Sequence, residues 1–220
     1  MTRGVEGRRP DRDTKVIGVL LAGGLARRMG GGDKGLSMLG GRPMMARIIE
    51  RVGPQVSTLI INANGEPKRF ADYGLDVVPD VIGDFAGPLA GVLTGLEWTA
   101  VNAPEAEWVA TFAIDAPFVP ADLVDRLRDA VDRDGAEMAC AASNGRAHPV
   151  FGLWPVALAG DLRGAMIDED MRKIDLWTAR YQLAEVDFSA SPFDPFFNIN
   201  DKDNLAEAER LLADGERGAA

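Results

Sequence analysis

A chain of 220 residues that is 46% hydrophobic is long enough to bury a sizeable core in one domain, and its composition is not that of a disordered chain. A formal charge of −10 at pH 7 argues against a broad nucleic-acid interface. No apolar run approaches the roughly 18 residues that cross a bilayer, and one cysteine, Cys140, supplies neither a disulfide framework nor a thiolate metal site.

Residues 1–14, MTRGVEGRRPDRDT, are polar and lack the apolar centre of a signal peptide. They are expected to form a disordered tail on a cytoplasmic protein. Lys15 to Leu21 is a continuous apolar run, the pattern of a strand covered on both faces. Pro43 suits the first turn of a helix reaching Val52, with Ile48 and Ile49 inward. Thr58 to Ile61 is a second strand stopped by Asn62, and Val77-Val78 a short third one ending at Pro79 and Asp80. A helix follows from Leu89 to Thr99, then a strand from Trp108 to Ile114 stopped by Asp115.

Pro120 to Val124 opens a further helix. Glu137 to Ala142 and Pro149 to Leu153 read as strands, Ala157 to Met166 as a helix and Tyr181 to Val186 as a late strand. Asp203 to Leu212 closes the pattern as a helix. Strands alternating with helices imply an α/β fold, a doubly wound and mainly parallel sheet between two helical layers. Residues 15–213 are expected to be one domain, with 214–220 a flexible tail. Ligands of such sheets bind outside the carboxyl ends of the strands. The loop after Leu21, Asn62, Asp80 and Asp115 all stand there, on one rim.

The loop reads LAGGLARRMGGGDKG. Gly23 and Gly24 follow the strand directly, where a backbone without Cβ turns sharply and brings N–H groups to phosphate oxygens. Arg28 and Lys34 can reach a polyphosphate as cations, and Arg27, Arg28, Lys34 and Arg42 face only Asp33 in this stretch. A small positive pocket in an acidic protein suits a small anionic ligand. The segment is not a P-loop, because Gly35 follows Lys34 where Ser or Thr is needed. A dinucleotide fingerprint at Gly30, Gly32 and Gly35 lies nine residues beyond the strand it should follow at once.

LAGG-x-x-x-RMGG-x-DKGL resembles the signature of the molybdenum cofactor guanylyltransferases, which look like relatives of the sugar-nucleotide pyrophosphorylases. The resemblance continues through Asn62 to Asn64, Asp80, GPLAG at Gly87 to Gly91 and Asp115 to Pro117. Beyond those it takes in HPVFGLW at His148 to Trp154, Arg172-Lys173, and Asn198 to Asn200. It departs at Asp201, where Thr followed by Pro is common.

The resemblance implies a nucleotide-diphospho-sugar transferase-like fold. It also implies transfer of GMP from GTP to the terminal phosphate of molybdenum-bearing molybdopterin, with release of pyrophosphate. Leu21, Ala22, Gly23 and Gly24 would hold the guanosine and phosphates, Arg28 and Lys34 the triphosphate, and Asn62 and Asp80 the nucleoside end. Gly87, Pro88, Leu89, Asn198 and Asn200 would complete the binding set. LAGG together with GPLAG goes with guanine rather than cytosine. Asp115, the one charge at the end of an apolar strand, would hold Mg2+, which takes one or two carboxylates plus substrate phosphates. A turn or capping role is the plainer reading of Asp115, Asp80 and the asparagines. His148 in a His-Pro step reads as structural, and Arg172 with Lys173 as either a pterin-phosphate contact or a surface ion-pair cluster. The partners implied are the two small-molecule substrates, with transient contacts to molybdopterin-donating and molybdoenzyme-maturation proteins, and neither nucleic acid nor membrane. Turnover of CTP or a sugar phosphate, and a non-catalytic nucleotide-binding protein, are the competing readings.

Overall fold

The computed structural model describes residues 15–23, 34–83 and 87–218. Its centre is β1 (Val16–Leu21), flanked in parallel by β4 (Thr58–Asn62) and β6 (Trp108–Ala113). β5 (Asp76–Val78) adds to β4 in parallel. On the other side β8 (Arg146–Pro155) runs antiparallel between β6 and β7 (Met138–Ser143), and β9 (Leu183–Asp187) returns parallel to β7. The order is β5-β4-β1-β6-β8-β7-β9, so the sheet is mainly parallel with one reversed strand.

Both faces of the sheet are covered. Along β1 the side chains alternate: Val16 and Leu20 enter one apolar cluster, Ile17 and Val19 the other. The first cluster lies under α1 (Met44–Val52) and α3 (Leu123–Asp134), through Met45, Ile48, Val52, Leu123 and Leu127. The second lies under α2 (Pro88–Asn102), α4 (Ala159–Asp168) and α5 (Ile174–Thr178), through Leu93, Leu96, Leu162 and Trp177. Fully burying an aliphatic or aromatic side chain of this size stabilises by about 1.5–3 kcal/mol, so these two layers are the main fixed support of the rim.

A third, smaller cluster forms where α6 (Lys202–Gly218) packs on a hairpin of β2 (Met38–Leu39) and β3 (Arg42–Pro43). Leu39, Met44, Phe118, Ile199 and Ala208 are its buried members. Arg47 donates from Nε to the carbonyl of Leu39 at 2.7 Å, and Glu209 accepts the N–H of Gly40 at 2.8 Å, so α1 and α6 grip the hairpin between them.

Several elements differ from the sequence expectation. Pro43 closes β3 and caps α1 from outside rather than entering its first turn. The helix expected from Ala157 begins as a 3-10 turn and becomes α4 at Ala159. α6 runs to Gly218, past the end of its apolar periodicity at Leu212 and into the segment expected to be a flexible tail. Residues 1–14 lie outside the described residues. At Asp201 the local cap is well formed. Its carboxylate accepts the N–H of Asn204 at 2.8 Å, and Asn204 Oδ1 accepts the N–H of Asn200 at 3.2 Å. Asp therefore does here what a hydroxyl residue does at other helix starts. No helix among the described residues is long and apolar enough to cross a membrane.

Candidate active site

Pairing of Leu21 with Asn62 on one side and Ala113 on the other sets the ends of three parallel strands level. The residues that follow each strand therefore meet at one edge. A cavity of about 360 Å3 opens there. Leu21 and Gly23 reach it from β1, Asn62 and Asn64 from β4, and Asp80 from beyond β5. Ala113, Ile114 and Asp115 arrive from β6, Gly87 and Pro88 from the start of α2, and Val150 and Asn198 close the far wall.

Asp80 is held in place by the two asparagines. Asn62 Nδ2 donates to Asp80 Oδ1 at 2.9 Å and to the carbonyl of Val78 at 3.2 Å. Asn64 Nδ2 donates to Asp80 Oδ2 at 2.8 Å, and the N–H of Asp80 donates to Asn64 Oδ1 at 2.9 Å. Each carboxylate oxygen thus accepts one amide and keeps further lone pairs for a ligand. Asn62 is buried, so its first duty is to fix this carboxylate. Asn62 and Asn64 thus have a defined bonding role toward Asp80.

The Gly87–Gly91 segment has two separate geometric needs for glycine. Gly87, with φ 74° and ψ −170°, occupies backbone space open essentially to glycine alone. At Gly91 a Cβ would lie 2.5 Å from both Asn62 Oδ1 and Leu21 Cδ2, so α2 packs this closely on the rim only without a side chain there. Pro88 then starts the helix where no N–H is required. The N-terminal end of this 15-residue helix stands at the cavity, and its dipole favours negative charge there.

The remaining expected residues divide. Ala22 and Leu89 are packed in the core, and the N–H of Ala22 is taken by the carbonyl of Asn62 at 2.9 Å. Lys34 opens a 3-10 turn, Lys34–Leu36. Gly24 and Arg28 lie outside the described residues. Asn198 lines the cavity, whereas Asn200, half-buried, uses its N–H at the start of α6. Arg172 pairs with Asp170 and donates to the carbonyl of Met166, the pattern of a surface ion-pair cluster, although its own carbonyl lies near Gly87.

Val150 lines the cavity without being marked by any polar or glycine motif in the sequence. The ladder between β7 and β8 jumps from Cys140–Gly152 to Ala141–His148, so Pro149, Val150 and Phe151 form a bulge. Thr111 Oγ1 donates to the carbonyl of Val150 at 2.9 Å and accepts Trp154 Nε1 at 2.9 Å. The available signal was the His-Pro step, because Pro149 has no N–H for the ladder.

His148 is partly buried, and burial holds its imidazole below the ordinary 6.5, with Asp194 opposing and Arg146 adding to the shift. It is bonded to Ser143 rather than directed at the cavity. Burial pushes the Cys140 thiol up to about 12, so it is inert core filling. Among the described residues no group of three or more His, Cys, Asp or Glu could hold a metal ion. Of the residues lining the cavity, Asp80 and Asp115 carry the carboxylates that could hold a cation.

A family model described as the MobA-like NTP transferase domain matches residues 18–182. A molybdenum cofactor guanylyltransferase of Bradyrhizobium sp. (strain ORS 278) is 54% identical over 206 residues, covering 94% of this chain and 97% of its own. One from Rhizobium meliloti (strain 1021) is 44% identical over 208 residues, covering 92% and 94%. Among solved structures, the molybdopterin-guanine dinucleotide biosynthesis protein A from Archaeoglobus fulgidus superposes with a TM-score of 0.70 at 23% identity, over 90% of this chain and 99% of that one. A CMP:2-keto-3-deoxy-manno-octonic acid synthetase complexed with CTP reaches 0.69 at 13% identity, over 92% and 100%. These two likenesses concern the fold.

Proposed function

The chain belongs to the molybdenum cofactor guanylyltransferases of the MobA-like NTP transferase family, and from that membership we infer its reaction. It is a nucleotidyltransferase that moves GMP from GTP to the terminal phosphate of molybdenum-bearing molybdopterin and releases pyrophosphate. The observation that carries this reading is the meeting, at one cavity, of the turn after β1, the Gly87–Gly91 helix start and Asp115.

In this reading Leu21 and Gly23 lie along the nucleotide, and the Asp80 carboxylate, set by Asn62 and Asn64, accepts from donors at the nucleoside end. The N-terminus of α2 favours the triphosphate's negative charge, and Arg28 and Lys34 supply cations that neutralise it. A phosphate oxygen of molybdopterin attacks the α-phosphorus of GTP, and the bond from that phosphorus to the bridging oxygen of the β-phosphate breaks. The attacking phosphate is already ionised at neutral pH, so no general base is needed and the protein's task is alignment. Asn198, Asn200, Leu89 and Ala22 belong to the walls and supports of the same site.

The donor set fits Mg2+. Half-exposed Asp115 provides one carboxylate at the cavity, and the absence of an all-protein cage among the described residues suits an ion completed by phosphate oxygens and water. Bound there, the ion would neutralise charge on the α-phosphate and the departing pyrophosphate. A fold relative from Mycobacterium tuberculosis has been solved as a complex with manganese (TM-score 0.63, 18% identity), which supports a divalent cation in this fold. Residues 15–213 act as one domain, working in the cytoplasm with transient contacts to molybdopterin-donating and molybdoenzyme-maturation proteins.

The deciding experiment follows pyrophosphate release with Mg2+, molybdopterin and each nucleoside triphosphate in turn. Turnover with GTP is expected. Turnover with CTP and none with GTP would overturn the assignment.

A further inference from the structure

We propose that Ser143 and Asp194, neither of which lines the cavity, are positioning residues that form a latch holding Asn198 at its rim. Residues 194–200 form neither helix nor strand, so no backbone ladder sets where Asn198 stands. Placement must come from anchors on either side. On the far side, the N–H of Ile199 donates to the carbonyl of Asp115 at 2.8 Å, and the Ile199 side chain is fully buried. On the near side, Asp194 is the anchor.

The Asp194 carboxylate accepts the hydroxyl of Ser143, with oxygens at 2.9 and 3.0 Å, and the N–H of Phe196 at 2.9 Å. Its carbonyl accepts the N–H of Phe197 at 3.1 Å. Ser143 is fully buried at the end of β7 and has one proton, which goes to Asp194. His148 Nε2, 2.7 Å from Ser143 Oγ, is therefore the donor of that pair. Serine stands between histidine and aspartate here, so the arrangement is a chain of satisfied polar groups and not a nucleophile with its base.

Apolar anchoring already exists beside this latch. Phe196 is buried and its ring contacts those of His148, Phe151 and Phe188. Ring contacts tolerate sliding, since their energy changes slowly with small displacements. Hydrogen bonds from a buried hydroxyl to a carboxylate do not, because distance and direction are both constrained. The polar latch therefore fixes register, and five residues on, Ile199 fixes it again at Asp115. Asn198 is the one residue next to the second anchor that faces the cavity.

The inference rests on the guanylyl-transfer reading, in which the cavity holds the substrates. Its test is a set of steady-state assays of Ser143→Ala, Asp194→Ala, Asp194→Asn and Asn198→Ala, with the double variant Ser143→Ala/Asn198→Ala. Ser143→Ala and Asp194→Ala should raise the KM of whichever substrate Asn198→Ala affects, by about tenfold, with kcat changed less. Asp194→Asn, which keeps an acceptor oxygen, should lie between them and the unaltered enzyme. The double variant should be no worse than Asn198→Ala alone, because the latch acts through that side chain. Losses that multiply in the double variant, or an unchanged KM for Ser143→Ala, would overturn the latch while leaving the reaction standing. If Ser143→Ala does not fold, Asp194→Asn with Asn198→Ala closes the same cycle. No turnover by the unaltered enzyme would instead overturn the guanylyl-transfer reading.

Discussion

Gly91 lies so close to Asn62 that a Cβ built on it would stand 2.5 Å from the amide oxygen. Alanine in a helix interior is ordinarily better than glycine by about 1 kcal/mol. Here Asn62 is buried and tied to both Val78 and Asp80, so it cannot yield without losing those bonds. Overpacking of this kind costs roughly 1–3 kcal/mol and outweighs the helical gain. Gly91→Ala should lower thermal stability and weaken GTP binding together, measurable by calorimetry. A more stable protein with unchanged affinity would show that the rim relaxes freely.

The Asn64→Asp substitution tests the cradle around Asp80. It removes one amide donor and sets two carboxylates side by side. A hydrogen bond to a charged group contributes about 1.5–3 kcal/mol, and like charges at contact add repulsion. GTP affinity should fall at least tenfold with the sheet intact by circular dichroism. Unaltered affinity would remove Asp80 from the nucleoside end.

Asp115→Asn should separate binding from chemistry. The cavity wall at Leu21, Gly23 and Gly87 is untouched by this change, so GTP is expected still to bind in equilibrium dialysis. Turnover should drop by roughly two to four orders of magnitude, the scale for lost charge stabilisation of a transferring phosphoryl group. Equal loss of both would make Asp115 a structural residue.

The chain has one histidine, so its titration can be read without overlap. Burial keeps His148 below 6.5 in the folded protein. As pH falls through 6.5 the unfolded chain takes up the proton first. Stability is therefore fully present above 6.5 and declines as pH drops toward the folded value. NMR should show a midpoint below 6.5, and Asp194→Asn should lower it further by removing the charge that opposes the shift. A midpoint at or above 6.5 would contradict the buried setting of the ring.

The parallel half of the sheet was legible because its strands are apolar runs, ended by glycines after β1 and by Asn62, Pro79-Asp80 and Asp115 after the others. Leu21, Asn62 and Asp115 therefore fall on one rim by sequence pattern alone. Reversal of β8 was not legible, because an apolar run reads the same in either direction. The hairpin at Met38–Pro43 has two-residue strands, too short for any periodicity, and α5 spans only five residues. Ser143 and Asp194 were invisible for a different reason. Each taken alone is an ordinary turn former, and their bond spans 51 positions of sequence.

The grip of α6 on the hairpin has a consequence for the cost of closing the chain. β1, β4, β5 and β6, the parallel half of the sheet, are complete by Ala113. Glu209, which holds Gly40, and Ile199, which joins Asp115, come from the final stretch of the chain. These contacts span 169 and 84 positions, so closing them costs more chain entropy than the local ones. Four of the seven strands thus precede, along the chain, every residue of α6 and of the segment before it that ties to the hairpin or the rim.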